Sequence, residues 1–115
     1  MTPRPISSQE LDVIRRALQV CRTGDALPVH DSRASELVVA SLCACGCDTV
    51  EFKRTGSEVA AVIADGLGDT SDGNGVGIIV FGTPETITCL EVYSFDDAPA
   101  RLPTLDSIRP FGSGS

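Results

Sequence analysis

The chain has 115 residues, of which 42% are hydrophobic and 22% are charged, and its formal net charge is −7. This length fits a single domain that buries its own core, and the apolar content argues against a disordered chain. The 16 acidic residues outnumber the 9 basic ones, which argues against nucleic acid and anionic membranes as partners, because both bind basic surfaces.

Hydropathy and cysteine content predict a cytoplasmic protein. No stretch reaches the roughly 20 apolar residues that span a bilayer, and the N-terminal residues lack the apolar run of a signal peptide. In a reducing compartment the cysteines are expected to remain thiols. The sequence contains Cys21, Cys43, Cys45, Cys47 and Cys89.

The first predicted element is an N-terminal helix. Ser7 can cap it, and Glu10 three residues later completes a capping box. An apolar stripe at helical spacing follows, formed by Leu11, Ile14, Ala17, Leu18 and Cys21. Gly24 is expected to end the helix, and residues 25–35, which include His30, are predicted to form a loop.

The middle of the chain predicts a hairpin and then a strand. Residues 36–42 and 49–53 are expected to pair across a cysteine-rich turn at 43–48. Residues 58–64 fit a buried strand or a short helix, and a strand is favoured because the run is too short for a typical helix. Residues 65–75, rich in Gly and Asp, are predicted to form an acidic loop.

A second hairpin is predicted from residues 76–81 and 86–95, joined by a turn at 82–85. Alternation in its second strand places Ile87, Cys89, Glu91 and Tyr93 on one face and Thr88, Leu90, Val92 and Ser94 on the other. One helical turn is expected to begin at Thr104.

These elements predict one α+β domain over residues 1–111. Its N-terminal helix would pack on an antiparallel sheet, a meander of about four strands. Residues 112–115 (Gly-Ser-Gly-Ser) have the composition of an appended linker and are left out of the domain.

Cys43, Cys45 and Cys47 are the most conspicuous candidate metal ligands, because thiolates bind soft metals. A structural zinc site needs four ligands, and its paired cysteines usually have two to four intervening residues rather than one. Burial of these cysteines as small apolar side chains is therefore the favoured interpretation, and thiol-dependent metal binding is the alternative. No cofactor is predicted.

The sequence contains no recognisable catalytic apparatus. A cysteine nucleophile would need a base, and His30 is the only histidine. Residues 65–75 fit no register of a calcium-binding EF-hand loop, and they lack the third glycine of a phosphate-binding loop. The chain is therefore predicted not to be an enzyme.

Acidic side chains are the best candidates for contacts with a partner. The predicted loop and the end of the last strand could place several carboxylates on one surface, and loops held on a sheet often bind partners. The alternative, which the residues of this loop slightly favour, is that turns use Asp and Gly for backbone reasons. The candidate partner-binding residues are Asp65, Asp69, Asp72, Glu91, Asp96 and Asp97.

Most of the chain after the first helix resembles a family of small bacterial proteins. The shared features are a Cys-x-Cys-Gly-Cys turn, an Asp-Gly entry into a strand and a Leu-Glu-Val-Tyr strand. They lie in residues 43–52, 72–81 and 90–94, followed by Arg-Leu-Pro at 101–103 and Ile-Arg-Pro at 108–110. The resemblance implies a bacterial single-domain protein and assigns no activity or site residue.

The predicted function is that of a non-enzymatic immunity protein that binds a bacterial toxin and covers its active site. Small size and acidic charge are typical of proteins that neutralise polymorphic or contact-dependent toxins, which is an analogy of size and charge rather than of motif. The expected partner is a basic toxin domain, such as a nuclease, because complementary charge favours association.

Overall fold

A computed structural model describes residues 2–23, 27–44, 46–54 and 56–110, and the chain there is an α+β protein, as predicted. The strands are β1 (Arg4–Pro5), β2 (Val38–Leu42), β3 (Val50–Phe52), β4 (Ala61–Asp69), β5 (Gly75–Gly82), β6 (Ile87–Ser94) and β7 (Arg109–Pro110). The helices are α1 (Ser8–Val20) and α2 (Pro28–Arg33), with 3-10 turns at Ala34–Glu36 and Leu105–Ser107.

All strands of the described residues belong to one 7-stranded antiparallel sheet in the order β1-β2-β3-β6-β5-β4-β7. Both predicted hairpins, β2 with β3 and β5 with β6, are confirmed. The sheet is larger than the predicted meander of about four strands, and β3 pairs with β6 rather than with β4. Neither β1 nor β7 could be recognised from the sequence, because strands of two residues show no alternation.

The end of β4 corrects one prediction. The strand continues to Asp69, so residues 65–69 pair with β5 and do not belong to a loop. Only residues 70–74 connect the two strands, and Gly73 adopts a left-handed conformation there (φ 87°).

Two glycines in β4 serve close packing. A Cβ at Gly66 would lie 2.5 Å from Cys21 Sγ, and a Cβ at Gly68 would lie 2.6 Å from Pro103 Cβ. Cys21 therefore packs directly on Gly66, and Pro103 packs directly on Gly68. A larger residue at either position would exclude its neighbour.

The N-terminus of α1 confirms the predicted capping box. Ser7 Oγ accepts a hydrogen bond from the Glu10 backbone N–H, and the Glu10 carboxylate accepts one from the Ser7 backbone N–H. Arg4 donates two further hydrogen bonds, of 2.8 and 3.0 Å, to the same carboxylate. The buried face of the helix consists of Val13, Ile14, Ala17 and Leu18, followed by Cys21.

The strand β6 contains a bulge. Adjacent residues of β5 pair with Cys89 and with Ile87, so Thr88 is an extra residue in the ladder. As a result Ile87 is fully buried in the core. Regular alternation predicts that Ile87 and Cys89 share a face of the sheet. The bulge places them on opposite faces, so that prediction is wrong.

Residues 28–33 form α2, which corrects the prediction of a loop over residues 25–35. Six residues are too few for helical periodicity to be visible in a sequence. The helical turn predicted from Thr104 is confirmed as the 3-10 turn Leu105–Ser107. The helix α1 ends at Val20, with Cys21 as its C-cap, and not at the predicted Gly24. Gly24 itself, Cys45 and residues 112–115 lie outside the described residues.

Candidate protein-binding face

The two faces of the sheet are covered differently. Both helices and residues 102–108 pack on one face, where Ile78 and Val80 are fully buried. In the described part of the chain no helix covers the opposite face, and its apolar side chains keep intermediate exposure. We call this the open face, and its apolar members are Val62, Leu67, Ile79, Phe81, Cys89 and Tyr93.

Two acidic residues flank Ile79 on the open face. The register pairs Ile79 with Asp65 on β4 and with Glu91 on β6. Because directly paired residues point to the same side of a sheet, both carboxylates lie beside the Ile79 side chain. The fold therefore brings together two of the acidic residues predicted for partner binding.

Neither of these two carboxylates forms an ion pair with a cation of the described residues. The ion pairs found there join Arg4 to Glu10, Arg22 to Asp31, Arg101 to Asp48 and Arg109 to Asp69. In addition, Oδ1 of Asp65 is buried and accepts no hydrogen bond from the described residues. An unpaired buried acceptor costs about 1–3 kcal/mol, so a cation bound to the Asp65 carboxylate would offset part of that cost.

Burial, together with the negative potential of nearby carboxylates, raises the pKa values of two side chains on the open face. Burial raises the pKa of the Cys89 thiol to about 11, and the charges of Glu51 and Glu91 add to the shift. Burial also raises the pKa of Tyr93, with Asp65 and Glu91 as further causes. The same potential that disfavours a thiolate or a phenolate favours a bound cation.

Tyr93 and Phe95 form an aromatic ridge along the end of β6. Their rings meet edge to face, with centroids 5.6 Å apart and an interplanar angle of 89°. The Tyr93 ring lies across Gly77, and the Phe95 ring lies beside Gly75. Phe95 is 60% exposed, and large exposed aromatic side chains are common in binding surfaces.

Two further candidate residues lie at the β4–β5 turn. Asp69 ends β4, and its carboxylate is paired with Arg109 at 3.3 Å. Asp72 is exposed in the turn itself. The turn adjoins the end of β6, where the Phe95 N–H donates a hydrogen bond to Gly75 O at 3.5 Å.

The last two candidates, Asp96 and Asp97, are exposed in the turn after β6. Oδ1 of Asp96 accepts hydrogen bonds of 2.8 Å from Ser94 Oγ and from the Ala98 backbone N–H. These bonds lower the pKa of Asp96. Asp96 thus stabilises its own turn, which agrees with the alternative explanation that turns use Asp for backbone reasons.

The cysteine-rich turn lies beside β1 and α1. Cys47 also borders a cavity that is lined by Tyr93, Asp96 and Asp97. Cys43 and Cys47 are partly buried and line a cavity of about 340 Å³. The turn is fixed to the C-terminal segment by Asp48, whose carboxylate accepts the Leu102 backbone N–H at 2.8 Å. No three His, Cys, Asp or Glu side chains are grouped to hold a metal within residues 2–23, 27–44, 46–54 and 56–110. A metal site that includes Cys45 stays a prediction, since Cys45 is not described.

The buried side chain of His30 holds two segments of the backbone together. Its ring is 1% exposed, and Nδ1 accepts a hydrogen bond of 2.9 Å from the Leu27 backbone N–H. Because Nδ1 accepts, Nε2 carries the proton and donates to Thr83 O at 2.7 Å. The ring therefore joins α2 to the β5–β6 turn, and both nitrogens are occupied by backbone groups.

The edges of the sheet offer little open backbone. Residues 21–23 hydrogen-bond to the first half of β4, and β7 pairs with Gly66 and Leu67. The opposite edge is β1, which is two residues long and ends in Pro5. β1 covers Val38 and Val39 of β2, and short, proline-containing or covered edges disfavour the addition of a further strand. The face is therefore the more accessible binding surface.

Sequence reasoning identified Asp65 and Glu91 but missed the apolar side chains around them. Ile79 and Phe81 belong to a β-prone run that gives no sign of which face its odd-numbered residues occupy. Exposure on one side becomes evident only when the helices are seen to share the other face.

Comparisons with known proteins returned no relative. No protein-family model matches the chain, and no curated protein or solved structure is significantly similar to it. The resemblance to a family of small bacterial proteins therefore stays a prediction. None of the helices in the described residues is long and apolar enough to cross a membrane.

Proposed function

We propose that the chain is a non-enzymatic binding protein of the bacterial immunity type, and that its open face covers a basic surface of a toxin. The observation that carries this proposal is the position of Asp65 and Glu91 beside Ile79 on a sheet face that no described helix covers. An apolar centre flanked by charged groups resembles a protein-binding surface more than a core.

The negative charge of the open face favours a basic protein partner over a second copy of the chain. A second copy of the chain would bring like carboxylates together and carries the same net charge of −7. A basic protein would instead neutralise both carboxylates as its apolar side chains cover Ile79 and Phe81. A nuclease domain fits, because enzymes that bind phosphates carry basic active-site surfaces.

The states of His30 and Cys89 support a role without catalysis. Both ring nitrogens of His30 hydrogen-bond to backbone groups. The raised pKa of Cys89, about 11, keeps that thiol protonated at neutral pH. Nucleophilic catalysis requires a deprotonated thiol or a base with a nitrogen free to accept its proton. Neither Cys89 nor His30 meets this requirement.

Co-expression with the product of the adjoining reading frame tests the proposal. We expect that product to kill cells when expressed alone, and we expect this protein to restore growth and to co-purify with it. A harmless neighbour, or one that neither binds nor is neutralised, would contradict the immunity function.

A charge-reversal variant tests the surface in the same assay. Asp65→Lys with Glu91→Lys is expected to abolish rescue, because it places two cations against a basic partner. The matched control, Asp12→Lys with Glu36→Lys, alters two exposed carboxylates outside the open face. Each substitution adds two charges, so both double variants change the net charge from −7 to −3. Equal loss of rescue in both would assign the effect to net charge rather than to the open face.

A further inference from the structure

The geometry around Ile79 specifies which basic group the open face accepts. Asp65 and Glu91 lie on the strands at either side of Ile79. Neighbouring strands are about 4.8 Å apart, so the Cα atoms of the two acidic residues lie about 10 Å apart. A side chain resting on Ile79 would therefore have on each side a carboxylate that forms no ion pair within the described residues.

We propose that the open face binds an arginine side chain of its protein partner, seated on Ile79 between Asp65 and Glu91. This inference rests on the proposed function, in which the open face binds a basic protein. The aliphatic part of the arginine would contact Ile79. The guanidinium donates hydrogen bonds from more than one edge, which allows one group to reach carboxylates on opposite sides.

Tyr93 adds a third contact. It follows Glu91 by two residues on β6 and therefore lies on the same face. Its ring is held across Gly77, the residue next to Ile79 on that face of β5. A guanidinium beside Ile79 can stack on this ring, because a cation is attracted to the face of an aromatic ring.

Arginine fits this arrangement better than lysine. An ammonium is a compact, strongly hydrated charge, whereas the planar guanidinium is less hydrated and binds both carboxylates and aromatic rings. The site is half-buried, with one Asp65 oxygen withdrawn from water, so the smaller desolvation cost of the guanidinium favours arginine. A metal ion fits poorly, because carboxylates on strands separated by Ile79 do not converge on one point.

Blocked amino acids provide the probe. N-acetylarginine methylamide is titrated into the full chain, with N-acetyllysine methylamide and the uncharged analogue N-acetylcitrulline methylamide as comparisons. Backbone amide shifts locate the binding, and fluorescence of Tyr93 reports it independently, since the chain has one tyrosine and no tryptophan. We expect arginine to bind with a Kd below about 10 mM, with shifts centred on Asp65, Ile79, Glu91 and Tyr93.

The other two probes and the two double variants test whether binding depends on the guanidinium and on the two carboxylates. We expect lysine to bind at least about threefold more weakly than arginine and citrulline to show no saturation. Asp65→Asn with Glu91→Gln should weaken arginine binding at least about tenfold, and Asp12→Asn with Glu36→Gln should leave it unchanged. Absence of saturation by arginine, equal binding of citrulline, or retained affinity in the Asp65/Glu91 variant would overturn the proposal.

These outcomes are separable from those of the proposed function. Rescue by co-expression without arginine binding would leave the immunity function in place and refute the arginine site. Arginine binding without any rescue would support the site and count against the toxin partner.

Discussion

The ring of Tyr93 occupies the space in which a side chain at position 77 would stand. A Cβ built on Gly77 would lie 2.0 Å from Tyr93 Cζ, and the two residues are directly paired across β5 and β6. Glycine in a strand normally weakens a sheet. Here it lets an aromatic ring lie close against the backbone, which places Tyr93 next to the carboxylates of the open face.

Gly77→Ala is therefore expected to displace the Tyr93 ring and to lower the free energy of unfolding by about 1 kcal/mol, since the lost ring packing exceeds the gain from replacing glycine. In a Tyr93→Ala background the same substitution should be neutral or stabilising. Urea unfolding of the four proteins in this double-mutant cycle measures the coupling. Additive effects would show that the two residues do not interact as the structure places them.

Replacing Asp65 by Asn and Glu91 by Gln should lower the pKa of Tyr93. Burial is the largest cause of its raised pKa, so a shift above the usual value will remain, and the part due to the two carboxylates will disappear. Ultraviolet absorbance follows this ionisation without interference from other phenols, because Tyr93 is the only tyrosine. An unchanged titration in the double variant, or an equal change in Asp12→Asn, would contradict the proposed field of the open face.

Glu10 is expected to make the protein more stable at neutral pH than at acidic pH. Burial opposes its charged form, but hydrogen bonds from Arg4 and Ser7 outweigh burial and lower the Glu10 pKa below its usual 4.5. The unfolded chain therefore binds the proton more readily than the folded chain. The contribution is complete above about pH 5 and is lost as the pH falls through the folded-state pKa.

Glu10→Gln should accordingly reduce the free energy of unfolding at pH 7 by about 1–2 kcal/mol, with a difference from the wild type that shrinks in acid. The modest figure reflects screening of Arg4, whose side chain is 38% exposed. Chemical denaturation between pH 7 and pH 3 measures the effect. Exposed Glu36→Gln is the control, and a pH-independent deficit in Glu10→Gln would indicate lost packing rather than lost charge.

His30→Ala is expected to lower the free energy of unfolding by about 2–4 kcal/mol, because it leaves the Leu27 N–H and the Thr83 carbonyl without their partner and opens a cavity. Thermal and urea unfolding measure this loss. Ser32→Ala, an exposed change in the same helix, should stay within about 0.5 kcal/mol of the wild type. A small effect at both positions would refute the structural role of His30.

Local signals were sufficient for part of the fold. The capping box at Ser7 and Glu10 and the two hairpins depend on residues close in sequence, and all three are confirmed. The extent of β4 could not be predicted, because Gly66 and Gly68 have the composition of a turn. Their role depends on Cys21 and Pro103, which are distant in the chain and contact them only after folding.

The candidate surface, like the extent of β4, depends on contacts between residues that are distant in the chain. The acidic residues could be nominated from charge alone, but the arrangement of Asp65, Ile79 and Glu91 depends on the register of three strands. A shift of one residue in either pairing would turn one carboxylate to the helix-covered side. Sequence alone does not determine that register, so Ile79 could not be identified as the centre of the site.

The covered and shortened edges of the sheet have an evolutionary consequence. In strand addition the main-chain hydrogen bonds, which every sequence can form, supply affinity, and only the pockets for alternate side chains supply specificity. Recognition through the open face depends instead on side chains that do not enter the core. Substitutions at such positions can exchange one partner for another with little loss of stability. Under the proposed function, this fold could therefore change its specificity as its target changes, while the helix-covered core stays the same.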